Sequence, residues 1–459
     1  MKTIAIAGAS GFIGRWFIEK YKDKYKIIAL SRREVEEQPQ DPQVEWRQVE
    51  LYSITSTTQA LEGADYALYL VHSMSPSTRL NQGSFEDTDL ILADNFARAA
   101  SINELEHIIF IGGILPKDEG DLSPHLRSRY EVEQTLGGRD IPVTSLRGGI
   151  IIGPGGSSFV VVEKLVQRLP IMGCPSWTLS QSQPIALRDV LKIIDHCFGR
   201  QEYFGKAIEM GGRDKVTYMG ILQRTAKIMG INRRIFPFPF FSPGFSKLWV
   251  ALFSDSSTTF IAPLIESLRH TMTIDEEKAF YGLEIDYMGL EDMIHSALHD
   301  KDQIPSLPRF KQSISQEKNT VRSHQRLPNP KNRDAYWIAG RYQQWLPRFF
   351  RYLIRATVDK QGVVSFSTLG LPLLKLQAIR DRSDEERQLM YIVGGYLVKR
   401  RDYGWLEFRS ILGGKYVISA IHEFVPRLPW YIYILTQAPM HLWVMKRFGK
   451  YLQSMENRP

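Results

Sequence analysis

With 459 residues, 43% of them apolar, the chain is long enough for two or three domains that each bury a core, and too apolar and aromatic to be disordered. Its two cysteines, Cys174 and Cys197, show no CxxC or paired-ligand spacing, which speaks against structural zinc and for a reducing, cytoplasmic setting. The net charge of +8 sits in the last third: residues 331–459 hold 21 Lys+Arg against 10 Asp+Glu, which suits an acidic ligand, nucleic acid, an anionic membrane surface or a plain solvated face.

The chain starts with an apolar run, Ile4 to Ala7, that reads as a buried strand. Three glycines spaced by two residues follow, Gly8, Gly11 and Gly14, and the pattern then turns helical through Phe12, Trp16 and Phe17. Gly8 allows a tight turn, Gly11 lets a pyrophosphate approach the backbone, and Gly14 lets helix and strand pack closely. The N–H groups at the helix start, at the positive end of its dipole, suit phosphate. A glycine triplet alone is a weak signal, but here a strand precedes it and a helix follows, so dinucleotide binding is expected. No signal-peptide pattern precedes the strand.

A second strand, Tyr25 to Leu30, ends in Ser31-Arg32-Arg33. Proteins preferring NAD place an acid near this point, whereas arginine accommodates the 2′-phosphate of NADP. NADP (NADPH) is therefore the expected cofactor, with NAD open and a surface arginine pair as the bland alternative. Val44 to Val49 reads as a third strand leading to Glu50 and Leu51, and Ala67 to Val71 as a fourth leading to His72, Ser73 and Met74. A helix from about Asp87 to Ala100, a strand from His107 to Ile111 ending in Gly112 and Gly113, another helix, and a strand from Val143 to Arg147 complete the alternation. Such alternation predicts an α/β fold with a Rossmann-like, doubly wound parallel sheet and ligands at the strand C-termini.

The order GASGFIG, the basic end of strand two, LVHSM, SPHLRSRYEVEQ and VTSLRGGIIIGPGGSSF resembles the atypical branch of the short-chain dehydrogenase/reductase (SDR) superfamily over about residues 1–300. In particular it is similar to bacterial NAD(P)H-binding proteins with an appended C-terminal domain, relatives of the NmrA-like proteins and of the SDR-like accessory subunit of respiratory complex I. The resemblance implies cofactor contacts from Gly8, Ser10, Gly11, Phe12, Ile13, Gly14, Arg32, Arg33, Glu50, Leu51, His72 and Arg129. SDR reductases use Tyr, with Lys four positions later, to protonate the carbonyl, and a Ser from the preceding strand end. This chain has His125 and Arg129 there, Gly112 and Gly113 instead of Ser, and no Tyr-x-x-x-Lys anywhere. Two readings stay open. His125 is a general acid and Arg129 holds ribose or phosphate, or the site binds cofactor without chemistry in a sensor or assembly protein.

The glycine-rich stretch Gly148 to Phe159 resembles the wall between nicotinamide and substrate in such proteins, and Asp189 reads as a helix-capping or orienting acid. Phe236, Phe238, Phe240, Phe241, Phe245 and Trp249 suit either an apolar substrate pocket or core. His295 and His299 share a helix face without the Glu of an HExxH motif, so no metal is expected. The proline-interrupted stretch 302–334 reads as a linker between a domain over 1–301, with a substrate lobe from about residue 150, and a smaller α+β domain over 335–459.

In that second domain, Phe350 to Val358, Leu373 to Arg380, Gln388 to Lys399, Gly404 to Ile411 and Lys415 to Val425 read as strands, followed by one helix from about Trp430 to Gln453. The arrangement resembles the helix-grip, or START-like, ligand-binding fold. Leu428 to Met445 lacks any charged side chain and just reaches membrane-spanning length, but Pro429, Pro439, Gln437 and His441 favour a helix packed on the sheet. Peripheral attachment to an anionic membrane is the intermediate expectation, and nothing marks a nucleic-acid-binding motif. The whole reads as an NADP-dependent oxidoreductase of apolar substrates or a non-catalytic, cofactor-responsive binding protein.

Overall fold

A computed structural model describes residues 1–459 except 39–40, 73–79, 117–121, 239–265, 312–319, 352, 402 and 456–459. The chain divides into two compact units, residues 1–74 with 92–312, and residues 75–91 with 313–459.

The first unit is built on a seven-stranded sheet. Its strands are β1 (Thr3–Ala7), β2 (Lys26–Ser31), β3 (Val44–Gln48), β4 (Tyr66–Tyr69), β6 (His107–Gly113), β7 (Val143–Gly148) and β12 (Ala207–Met210), in the order β12-β7-β6-β4-β1-β2-β3. Every pairing is parallel. Parallel strands need crossover helices, which cover both faces, so the central strands are apolar throughout. Ile4, Ala5, Ile6 and Ala7 are fully buried, as are Ile108, Ile109 and Phe110.

Helices α1 (Phe12–Tyr21), α2 (Ile54–Ala60), α3 (Phe85–Ile102), α4 (Pro124–Leu136), α5 (Ser157–Arg168), α6 (Leu187–Cys197), α7 (Tyr218–Ile228) and α8 (Leu290–His299) surround this sheet or build the lobe beyond it. α1 and α6 share one core, whose buried residues include Phe17, Leu187, Val190, Leu191 and Ile194. Among the described residues the lobe contains three short strand pairs. β8 (Ile151–Ile152) pairs with β11 (Ile185–Ala186), β9 (Ile171–Cys174) with β14 (Arg234–Pro237), and β10 (Gln181–Ser182) with β13 (Val216–Thr217).

The second unit carries an eight-stranded sheet: β16 (Arg355–Val358), β17 (Val363–Thr368), β18 (Leu371–Ala378), β19 (Arg387–Gly394), β20 (Trp405–Ile411), β21 (Tyr416–Phe424), β15 (Val321–Pro328) and β5 (Leu80–Gln82), in that spatial order. All pairings are antiparallel except β15 with β5. Helices α9 (Ala335–Phe349), α10 (Trp430–Leu435) and α11 (Gln437–Ser454) pack on one face. The Tyr342 ring of α9 lies 5.5 Å from that of Phe408 and 5.1 Å from that of Phe448, so aromatic side chains occupy the space between sheet and helices.

Four local expectations change. Residues 321–328, read as linker, form β15 inside the sheet. Residues 75–91 belong to the second unit although they lie within the first domain in sequence. The helix α9 and the strand β17 appear where no element was read. The single C-terminal helix is two, because Thr436 leaves helical geometry at φ −124°, ψ −74°.

Candidate functional site

The glycine turn has the backbone its motif demands. Gly8 sits at φ +92°, a conformation open chiefly to glycine, and its carbonyl accepts from the Gly11 N–H at 2.9 Å. A Cβ on Gly14 would stand 2.5 Å from the Gly8 oxygen and 2.8 Å from the Ala9 Cα, and one on Gly11 would stand 3.0 Å from the same oxygen. Helix α1 begins at Phe12, and Gly11 at its N-cap position supplies no side-chain cap. Backbone donors of its first turn are thus the groups that would meet a pyrophosphate.

The residues therefore fit a dinucleotide. The Ser10 carbonyl accepts from the Arg15 guanidinium at 3.3 Å, while Ile13 packs against the core. Phe12 packs toward the loop at Gly153 and Gly156, where its ring atoms stand 3.5 and 3.0 Å from the place a Cβ would take. Trp16 Nε1 donates to the Pro154 carbonyl at 3.1 Å, which ties the same loop to α1. The wall expected from the Gly148–Phe159 stretch is in this way fastened to the helix that follows the glycine turn.

Arg32 and Arg33 follow the C-terminal end of β2 and are exposed. The Arg33 guanidinium lies over the Phe310 ring at 4.6 Å, and the side chain lines a pocket with Trp46, Arg47, Gln48 and Lys311. In that pocket Arg47 is taken up by Glu45 and Lys311 by Glu34, both at 2.7 Å. Past β3, a Glu50 carboxylate oxygen accepts from the Tyr52 N–H at 3.3 Å and the Leu51 carbonyl accepts from Asn95 at 2.8 Å.

The two candidates of α4 part company. Ser123 caps the helix by accepting from the Leu126 N–H at 3.2 Å, and Pro124 fills its first position. This places His125 at the head of α4, with Nδ1 3.3 Å from the Ser267 hydroxyl and its ring 5.0 Å from that of His72, just beyond β4. Ser267 in turn lies 2.8 Å from Ser123 Oγ. Arg129, one turn on, is buried. It donates to the Val71 carbonyl at 3.0 Å and the Ile111 carbonyl at 2.5 Å, with its guanidinium 4.5 Å from the Phe110 ring. The structure gives it the work of joining the ends of adjacent strands.

At the strand end that holds Ser in SDR reductases, a Cβ on Gly113 would stand 2.9 Å from Leu126. Nearby, Arg147 and Glu133 form a two-point ion pair at 3.0 and 2.6 Å. Glu209 is pushed up by burial, although the Asp275 N–H donates to it at 2.7 Å. Asp189 is buried and accepts from the Met288 N–H at 3.0 Å, an orienting role.

Phe236 and Phe238 are exposed, not core; Phe240, Phe241, Phe245 and Trp249, like Ser73 and Met74, lie outside the described residues. The His295 and His299 rings stand 4.4 Å apart, and among the described residues no group of three His, Cys, Asp or Glu side chains is placed to hold a metal. Burial pushes the Cys174 thiol up to about 11 and that of Cys197 to about 12, so neither supplies a nucleophile near neutral pH.

Residues 8–165 match the protein family described as NAD(P)H-binding. The auxiliary protein GraX of Staphylococcus aureus is 29% identical over 110 residues, 24% of this chain and 36% of that protein, so the chain spans about a third of that relative's length. Among solved structures, a nucleoside-diphosphate-sugar epimerase from Staphylococcus aureus gives a TM-score of 0.50 at 14% identity, covering 64% of this chain and all of that one. Triphenylmethane reductase of a Citrobacter species, solved with NADP(H), gives 0.46 at 16% identity over 66% of this chain and 98% of that one. At such identities the likeness to the epimerase is one of fold.

Proposed function

We propose that the protein, whose residues 8–165 match the NAD(P)H-binding family on a parallel, Rossmann-like sheet, is an NADP-dependent oxidoreductase acting on an apolar substrate. The observation that carries the proposal is the glycine turn with its uncapped helix, followed at the other strand ends by His125 held beside Ser267 and His72. When bound, the nicotinamide supplies a hydride to the substrate carbonyl. Gly8, Gly11 and Gly14 keep the backbone open to the pyrophosphate, and Arg32 and Arg33 meet a 2′-phosphate. His125 delivers the proton to the carbonyl oxygen, with Ser267 fixing the orientation of its ring.

One observation favours a second reading. Arg129, at the position where an SDR reductase has its ribose-binding Lys, is spent on the carbonyls of Val71 and Ile111. That geometry suits a protein that holds the cofactor without turning it over and responds to its redox state. A fluorescence titration with NADPH and NADH, then an assay of their oxidation with a panel of apolar aldehydes, ketones and quinones, separates the two. Oxidation lowered about 100-fold by His125→Ala, with NADPH affinity kept, supports the enzyme. Tight binding without oxidation across the panel supports the cofactor-responsive protein, and absence of binding ends both.

A further inference from the structure

From Phe424 to Met455 the chain contains no acidic residue, and its charges, Arg427, Lys446, Arg447 and Lys450, are all basic. The stretch forms α10 and α11, whose inner faces enter the core through Tyr433, Ala438, Val444, Met445, Phe448 and Leu452. Their outer faces carry large apolar side chains beside the basic ones. On α10, Tyr431 is 65% and Leu435 76% exposed, and on α11 Met440 is 49% and Trp443 45% exposed. These pairs stand four and three residues apart, so each makes a stripe along its helix. Single exposed apolar residues are ordinary, but exposed apolar pairs on two successive helices mark a surface made to be covered.

The surroundings say what covers it. The Arg447 guanidinium lies over the Trp443 ring at 5.9 Å, one turn along the stripe, and the Trp443 ring stands 4.9 Å from that of Phe349 on α9. Phe349 lines a surface pocket with Arg341, Trp345, Arg348 and Tyr451. Two guanidinium groups beside aromatic rings suit an anionic headgroup, since arginine presents a planar set of donors to phosphate oxygens and aromatic rings favour the membrane interface. No described helix is long and apolar enough to cross a membrane. A partly sunk amphipathic pair with a basic rim is a different device: it lies in the interface plane and draws on apolar burial and on the charge of the lipid together.

We propose that α10 and α11, with the Arg341 and Arg348 pocket, dock the protein on an anionic phospholipid bilayer. The membrane then presents apolar substrate or lipid-borne partners to a protein whose other unit holds NAD(P)H, but the docking stands whether or not the cofactor is turned over.

The test is co-sedimentation of the full-length protein with vesicles of phosphatidylcholine alone and of phosphatidylcholine mixed with phosphatidylglycerol. Binding is expected to the mixed vesicles at low salt and to weaken as salt rises. Leu435→Glu with Trp443→Glu should lower it at least about tenfold, because two apolar anchors are lost and two like charges face the lipid. Arg348→Glu with Arg447→Glu should abolish the preference for phosphatidylglycerol. All four side chains are surface-exposed, and a circular dichroism melt checks that the variants fold; should the glutamates unfold the chain, Leu435→Ser with Met440→Ser serves instead. Failure to bind anionic vesicles at low salt overturns the proposal, as does binding indifferent to both apolar variants. Light scattering that shows a dimer dissociated by Trp443→Glu also overturns it, since the face then covers a second copy of the chain.

Discussion

The two large sheets of this molecule bury their strands by different means. In the parallel sheet of the first unit, successive residues of β1 and β6 are apolar on both faces, because helices cover each side. The antiparallel sheet of the second unit alternates. Along β20, Leu406 and Phe408 join the aromatic core, while Glu407 and Arg409 point the other way and are equally buried. There Glu407 accepts from Arg387 at 2.8 Å, from Arg409 at 3.1 Å and from His422 at 3.1 Å. Arg322 pairs with Glu423, the Trp405 ring stacks on His422 at 4.8 Å, and Asp87 at the start of α3 pairs with Arg326 at 2.7 Å. One sheet is held by shape, the other by shape on one face and matched charge on the other. Burial alone does not tell them apart; the partners do.

The largest effect should come from breaking the charged face. Glu407 would be pushed up by burial, yet Arg409, Arg387 and His422 hold its carboxyl well below the usual range. Glu407→Gln takes from the core the carboxylate charge that both Arg387 and Arg409 meet, and should cost about 3–5 kcal/mol of stability in a urea melt. Phe408→Leu, its neighbour on the aromatic face, removes only part of a ring and should cost about 1 kcal/mol. Equal costs would mean that the network is solvated in solution and that the two faces are alike after all.

In the first unit the sensitive point is a hydrogen atom. Gly14→Ala puts a methyl group 2.5 Å from the Gly8 carbonyl oxygen and 2.8 Å from the Ala9 Cα, both backbone atoms that cannot swing aside. Helix α1 must shift outward, at about 2 kcal/mol, and the turn proposed to meet the pyrophosphate shifts with it. Thermal melts should show the smaller loss of stability than for Glu407→Gln, and an NADPH titration a loss of at least about tenfold in affinity. Unchanged affinity would place the cofactor elsewhere.

The same contrast explains what could be read beforehand. The first unit was legible because its signals are local: an apolar run, three glycines, a helical pattern, then strand and helix in turn. The second unit hid where polar residues are buried. Residues 321–328, VRSHQRLP, look like a solvated linker, but Arg322, Ser323 and His324 are buried as parts of β15, with Arg322 matched to Glu423 and His324 3.5 Å from the Thr88 hydroxyl. Nothing in the local pattern announces partners a hundred or more residues away. Residues 75–91 mislead for the same reason, since β5 adds to the second sheet only through its pairing with β15. At the site, spacing singled out His125 and Arg129, but not Ser267, which is 142 positions from His125. Nor could it show that the Arg129 side chain is taken up by backbone carbonyls, because carbonyls leave no trace in a sequence.

The smallest effect concerns pH and sets the two units side by side. In the first, His107 is held neutral and pushed down to about 4 by burial, its Nδ1 accepting from the Gly199 N–H at 3.2 Å and its Nε2 facing the Thr144 hydroxyl at 2.8 Å. In the second, burial lowers both His324 and His422, whose rings stand 5.2 Å apart; the neighbouring arginines lower them further, while Glu407 opposes the shift. A histidine lowered in the folded state binds its proton more readily when unfolded. The stability it confers is therefore complete above about pH 6.5 and is lost as pH falls from there toward the folded value. Between pH 7.5 and 5.5 each such group should remove stability, and the second unit, where burial also pushes His441 down to about 4, should lose more than the first, where His196 is lowered as well. Melts followed by the hydrogen exchange of strands β6 and β20 at the two pH values resolve the units. A larger loss at β6 than at β20 would show that the charged network, with Glu407 at its centre, stabilises a proton on the histidine pair, and that the second sheet is buffered against acid where the first is not.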